Sequence, residues 1–119
     1  MTQFQRIFNA LKEEGIEVYP PATKKGECLN PYTVIKYDGS APILDFSSEY
    51  QYYTFMFYVP KDRYTELEGY RDRVKAVIDK KLYPMLMPTA SDTPDFYDDS
   101  VKGHMSSSIY RNNVRNKHL

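Results

Sequence analysis

Residues 49–59 read Glu49-Tyr50-Gln51-Tyr52-Tyr53-Thr54-Phe55-Met56-Phe57-Tyr58-Val59, and Pro60 closes the run. No glycine or proline interrupts it, and its aromatic residues fit a pleated surface, so the stretch is a strand. Side chains alternate across a strand. Tyr53, Phe55, Phe57 and Val59 therefore share one side, and Tyr50, Tyr52, Thr54, Met56 and Tyr58 share the other. A strand with one solvated face alternates apolar with charged or small polar residues. This one is apolar or amphipathic on both sides, so its second face calls for a cover.

Upstream, Tyr32 to Tyr37 mixes β-branched and aromatic residues and stops at Asp38-Gly39, a dipeptide suited to the positive φ angles of a tight turn. Ile43, Leu44 and Phe46 form a weaker extended stretch between the two strands. Ala22 to Asn30 is small, charged or glycine and reads as an exposed loop. Before it, Ile16 to Tyr19 is extended and ends at Pro20-Pro21, which cannot continue a central ladder. Phe4, Ile7, Phe8 and Leu11 follow helical spacing, with Thr2 placed to cap the helix and Gly15 to close it.

Downstream, Asp62 is the expected cap of a second helix running to about Leu82, with Leu67, Tyr70, Val74, Val77 and Ile78 on its buried stripe. Lys80 and Lys81 suit its negative end. Pro84 and Pro88 forbid regular continuation, so Met85, Leu86 and Met87 read as a connector. Ser91 to Ser100, with Asp92, Asp95, Asp98 and Asp99, reads as a loop with a short strand around Phe96 and Tyr97. Lys102 to Arg111 is the last strand, and 112–119 a polar, basic tail.

This order predicts one α+β domain over residues 1–111, a mostly antiparallel sheet with both helices packed on one face. The even-numbered positions of the aromatic strand then point away from the helices. Tyr50, Tyr52, Met56 and Tyr58 are the candidate subunit interface, because an apolar patch left by a lone monomer marks a contact surface. Arg111, Arg115 and Lys117 are the candidate docking tail, a segment that a neighbour can order.

Composition limits the alternatives. The chain has 119 residues, 41% hydrophobic and 27% charged, the balance of a single globular domain. Twelve Tyr and six Phe stand beside no Trp; tyrosine suits surfaces that are wet in a monomer and dry in a complex. Sixteen basic and sixteen acidic residues cancel, so no global field draws the chain to nucleic acid or an anionic membrane. No apolar run reaches membrane-spanning length, and Met1 to Lys12 lacks the pattern of a signal peptide, which makes the cytoplasm the expected compartment. Cys28 stands alone and cannot form an internal disulfide.

The chemical inventory is thin. His104 precedes Ser106, Ser107 and Ser108 with Asp98 and Asp99 nearby, but no sharp nucleophile turn accompanies them. The aspartates from Asp92 to Asp99 lack the central glycine and terminal glutamate of a calcium loop, and read as a solvated loop or as partners for basic residues of a neighbouring subunit, such as Lys24 and Lys25. Lys25 to Glu27 and Asp38 to Ser40 lack the glycine spacing of a phosphate loop. No enzyme activity, metal or cofactor is expected.

The pattern resembles the tail terminator and tail-completion (head-tail joining) proteins of long-tailed bacteriophages and related contractile particles. The residues that carry the likeness are the helix Phe4 to Leu11, the strand led by Pro31-Tyr32, the aromatic strand ending at Val59-Pro60, the long helix ending at Leu82-Tyr83-Pro84, and the strand Lys102 to Arg111. The resemblance implies a small structural subunit of a homo-oligomeric ring, generally a hexamer. Such a ring caps the tail tube protein, meets the head-side connector, and lets DNA pass through its centre. It implies assembly in the host cytoplasm and residence in the neck of the virion. A reading in another class is a small adaptor or inhibitor that binds one host or phage protein through the same aromatic face.

Overall fold

The computed structural model describes residues 1–42 and 48–115. The elements are α1 (Gln3–Glu13), β1 (Val18–Tyr19), β2 (Tyr32–Pro42), β3 (Ser48–Pro60), a 3-10 turn (Tyr64–Glu66), α2 (Leu67–Leu82), β4 (Met87–Asp92), β5 (Phe96–Asp98) and β6 (Gly103–Arg115). The class is α+β, with two helices and a mostly antiparallel sheet of six strands. The strand order is β1-β2-β3-β6-β4, and β5 also pairs with β6. Only β1 runs parallel to its neighbour.

The aromatic strand is the spine. β3 pairs along its whole length with β6, from Ser48 opposite Arg115 to Pro60 opposite Gly103, and on its other side with β2. Its odd-numbered residues Tyr53, Phe55, Phe57 and Val59 meet Ile7 and Leu11 of α1 and Leu67, Val74 and Ile78 of α2 in the main core. Both helices therefore cover one face. Thr33, also on this face, is fully buried, and its hydroxyl shares a 2.8 Å hydrogen bond with Tyr70.

The start of α1 follows its sequence closely. The Thr2 hydroxyl accepts from the Gln5 N–H at 3.1 Å, and the Gln5 side-chain oxygen accepts from the Thr2 N–H at 2.9 Å, a reciprocal cap. Gly15, with φ at +78°, ends the helix.

Several expectations are corrected. Asp38-Gly39 is not a tight turn: β2 runs through it to Pro42, and the register shifts between Tyr37 and Ser40. Gly39 takes φ +92° there, so the glycine makes a bulge rather than a reversal. Asp62 does not cap α2. The chain enters through the 3-10 turn, where Arg63 grips Glu66 with two bonds of 2.6 and 2.7 Å, and α2 opens at Leu67 with no side-chain cap. Leu86 is the buried part of the connector, whereas Met87 already opens β4.

The last strand is longer than its sequence suggests. β6 continues to Arg115, and Asn112 is buried opposite Gln51, so the tail predicted from residue 112 is sheet at least as far as Arg115. Polar residues conceal this continuation, because Asn and Arg carry no alternating apolar signal. The stretch at Ile43, Leu44 and Phe46 lies outside the described residues.

Candidate functional site

With the helices on the odd-numbered side, register assigns the residues of the outer face. Tyr32, Val34 and Lys36 of β2 lie opposite Tyr58, Met56 and Thr54 of β3, and Met105, Ser107, Ile109 and Arg111 of β6 lie opposite Tyr58, Met56, Thr54 and Tyr52. Directly paired residues project to the same side. The outer face is thus a four-strand surface, completed by Met87 and Ser91 of β4, which pair with Arg111 and Ile109.

One end of this face is roofed by the chain itself. Tyr58, Tyr32, Met105 and Cys28 form a second buried cluster, with Tyr19, Val34, Met56 and Val101 packed around it. The rings of Tyr32 and Tyr58 stack at 4.8 Å, and Tyr19 meets Tyr32 edge-on at 5.7 Å. The Lys24 ammonium lies 5.6 and 5.7 Å from the Tyr19 and Tyr32 ring centres. The Cys28 N–H donates to the Val101 carbonyl at 2.7 Å, fastening the loop across the face. Burial pushes the Cys28 thiol up to about 11 and raises the Tyr58 phenol, which also neighbours Asp98.

Tyr58 is therefore a correction. It is 8% exposed within the monomer and belongs to the core, not to a surface for another subunit. The loop Ala22 to Asn30 is correspondingly not wholly exposed, because Cys28 anchors it.

Among the described residues, nothing roofs the other end of the face. Tyr50, Tyr52, Thr54 and Met56 are each half-buried, as are Val34, Ala41, Met87, Ile109 and Arg111 around them. Tyr50 and Tyr52 lie 6.3 Å apart at nearly perpendicular angles, and the Arg111 guanidinium sits 4.5 Å from the Tyr50 ring centre. Its Nε is buried and makes no hydrogen bond among the described residues. Lys36 is neutralised by Asp38 at 3.2 Å, and Asp38 also accepts from the Thr54 hydroxyl. Phe96 of β5, 51% exposed, pairs with Met105 and so lies at the roofed end of the same face. Three of the four candidate interface residues are thus accessible together, joined by Val34, Ile109 and Met87. Those neighbours were hidden in the sequence, since strand order is needed to bring β2 and β4 to the same surface.

Arg111, expected at the start of a docking tail, instead belongs to this face. Arg115 is the last residue of β6, opposite Ser48, and Lys117 lies outside the described residues.

The chain matches no family model and no curated protein.

The other candidate chemistries do not assemble. The His104 Nε2–H donates to the Lys61 carbonyl at 3.1 Å, and its ring is flanked by Tyr64 and Tyr97 at 4.7 and 5.2 Å. Ser106 lies 3.4 Å from Arg71, Ser107 pairs with Thr93, and Ser108 donates to Asp92, so none of these hydroxyls engages the imidazole. The acidic segment is held within the monomer: Lys75 meets Asp92 at 3.2 Å, Arg71 meets Asp95 at 3.5 Å, and the Tyr64 hydroxyl donates to Asp95 at 2.9 Å. These aspartates are neither simply solvated nor reserved for a neighbour's lysines. Among the described residues no group of three or more His, Cys, Asp and Glu converges on one point. No helix among them is long and apolar enough to cross a membrane.

A cleft of about 440 Å³ lies between α1 and the end of α2, lined by Arg6, Asn9, Glu13, Lys81, Tyr83 and Met85. Its charges are opposed and partly paired, with Lys81 at 3.7 Å from Glu13 and 3.3 Å from Glu14. It brings together no nucleophile and base.

Proposed function

We propose that this protein is a structural subunit that self-associates into a ring at the neck of a phage or phage-like contractile particle, where it terminates the tail tube and joins it to the head-side connector. The observation that carries the reading is the open end of the outer sheet face. Tyr50, Tyr52 and Met56 stand on a regular four-strand surface that the loops among the described residues leave uncovered. A contiguous amphipathic surface rich in tyrosine suits a contact that is wet before assembly and dry after it.

The sheet edges favour association through the face. Beyond Thr33 and Val34, which β1 pairs, the free edge of β2 carries Lys36, a bulge and Pro42. On the opposite edge, β4 contains Pro88, a register shift before Ser91, and Ala90 at φ +63°. Lysine, proline and bulges are the devices that block edge-to-edge pairing.

The resemblance of the element order to the tail terminator and tail-completion family supplies the location. On that reading the protein works without a cofactor or a catalytic step, assembles in the host cytoplasm, and contacts tail tube, connector and its own copies around a channel for DNA. Light scattering or mass photometry of the purified chain, across concentration and with tail tubes added, should reveal oligomers. A monomer under every one of those conditions overturns the reading. A pull-down returning one host protein and no virion component would favour the adaptor or inhibitor instead.

A further inference from the structure

We infer that residues 88–100, which carry β4, β5 and the turns beside them, form a strap latched by charge onto α2 and β6, and that this strap opens while the rest of the domain stays folded. The device operates within a single copy, whether or not copies assemble.

No residue from 88 to 100 is buried, although Leu86 just before them and Gly103 just after them are. Phe96 and Tyr97, the largest apolar groups of the segment, are 51% and 43% exposed. A stretch that buries so little apolar surface gains little from staying closed, and such stretches open at a lower free energy than the core.

The ladder that holds the strap is broken. The register of β4 with β6 shifts between Pro88 and Ser91, where Ala90 takes φ +63°, and β5 pairs with β6 only from Phe96 to Asp98. Between the two strands a side chain mends the gap. The Ser107 N–H donates to the Thr93 hydroxyl at 2.8 Å, and the Thr93 N–H donates to the Ser107 carbonyl at 2.9 Å.

Charge supplies the latch. Lys75 meets Asp92 at 3.2 Å and Arg71 meets Asp95 at 3.5 Å, so two cations one turn apart on α2 grip the strap on both sides of Thr93-Pro94. The Tyr64 and Ser108 hydroxyls donate to Asp95 and Asp92, and Tyr97 adds an edge-on contact with His104 at 5.2 Å. Both ion pairs are partly exposed, so salt weakens them. Beneath the strap lie Ser106, Ser107 and Ser108, buried while it is closed. Their hydroxyls can take water when it lifts, so opening stops at β6 instead of spreading into the core.

Native-state hydrogen exchange of the full chain, followed by NMR at low urea concentrations, tests this. Amides along β6 alternate in direction: Ser107 points to the strap, whereas Ser106 and Ser108 turn to β3. Neighbouring residues therefore report two different openings. Ser107 should be protected at least about tenfold less than Ser108 and respond little to urea, while Ser108 follows whole-domain unfolding. The pair Asp92→Asn with Asp95→Asn, and separately Arg71→Gln with Lys75→Gln, should each speed exchange at Ser107 by about tenfold, and added salt should speed it in the wild type. Equal protection and equal urea dependence at Ser107 and Ser108 overturn the inference, and that comparison needs no variant to fold. Exchange at Ser107 that neither salt nor either pair of substitutions moves also overturns it, because charge would then not hold the strap.

Discussion

Arg111 of β6 lies over the ring of Tyr50 of β3, with the guanidinium carbon 4.5 Å from the ring centre, on the side of the sheet away from the helices. The two residues are not directly opposed; Arg111 pairs with Tyr52, one step along the same face. The contact is therefore diagonal across neighbouring strands, and it holds a long cationic side chain against an aromatic surface within the monomer. Replacing Tyr50 by Ala should cost the monomer only about 0.5–1 kcal/mol, as befits a half-exposed cation–aromatic pair, while weakening association more than it weakens the fold. Urea unfolding and concentration-dependent mass photometry of the same sample would separate the two effects, and equal loss of both would count against a contact role.

Tyr52 and Tyr58 occupy the same side of the same strand, yet their environments differ completely. Tyr52→Asp should leave the monomer folded and abolish association, because its side chain borders solvent and a carboxylate trapped at a contact is costly. Tyr58→Asp should destabilise the monomer by about 3 kcal/mol or more, since it removes a ring stacked on Tyr32 and buries a charge beside Cys28 and Met105. Thermal melts monitored by circular dichroism distinguish them. A melt of the Tyr52 variant as depressed as that of the Tyr58 variant would place the open face in the core.

Tyr70 joins α2 to the sheet through one buried bond. Its hydroxyl is 2.8 Å from that of Thr33, which has no exposed surface at all, and burial pushes the Tyr70 phenol up to about 12. Tyr70→Phe leaves the Thr33 hydroxyl stranded and should cost about 1–3 kcal/mol. The double variant with Thr33→Val should recover part of that loss, because both polar partners are then gone. Denaturant unfolding of the four proteins in a double-mutant cycle measures the coupling, and additive single effects would show that the bond contributes nothing of its own.

Much of this architecture was legible because its signals are local. The alternation in Glu49 to Val59, the helical spacing in Phe4 to Leu11, and the Thr2 cap each act through neighbours a few residues apart. The roof over Tyr58 was not legible. It depends on Cys28 reaching Val101, more than seventy residues away, through a backbone bond that any residue types could make. The same limit applies to Asp38-Gly39, whose dipeptide permits a hairpin turn or a bulge alike and was settled by pairing with Gln51 to Tyr53. At Asn112 and Arg111 the polar side chains argued for a tail, while the ladder with β3 carried the strand onward. The interface candidates came from periodicity alone, which separates the two faces of β3 but cannot tell that Tyr58 is roofed while Tyr52 on the same face is not.

Asp92 makes the last of these long-range ties testable by pH. It accepts from the Ser108 hydroxyl and meets Lys75 at 3.2 Å, and these interactions, Ser108 first, hold its carboxyl below the usual aspartate value. A carboxyl with a depressed native value gives up its proton more readily when folded, so the ionised form favours the fold. That contribution is fully present above the unfolded value of about 4 and fades as pH falls through the lower native value. Asp92→Asn should therefore be less stable than wild type at neutral pH, and the gap should narrow below about pH 4. Ser108→Ala and Lys75→Met should each shrink the pH-dependent part of the gap, Ser108→Ala by more. Paired urea titrations from neutral pH into the acid range provide the measurement. A gap that stays constant throughout would mean that the Asp92 ties contribute through packing rather than through charge.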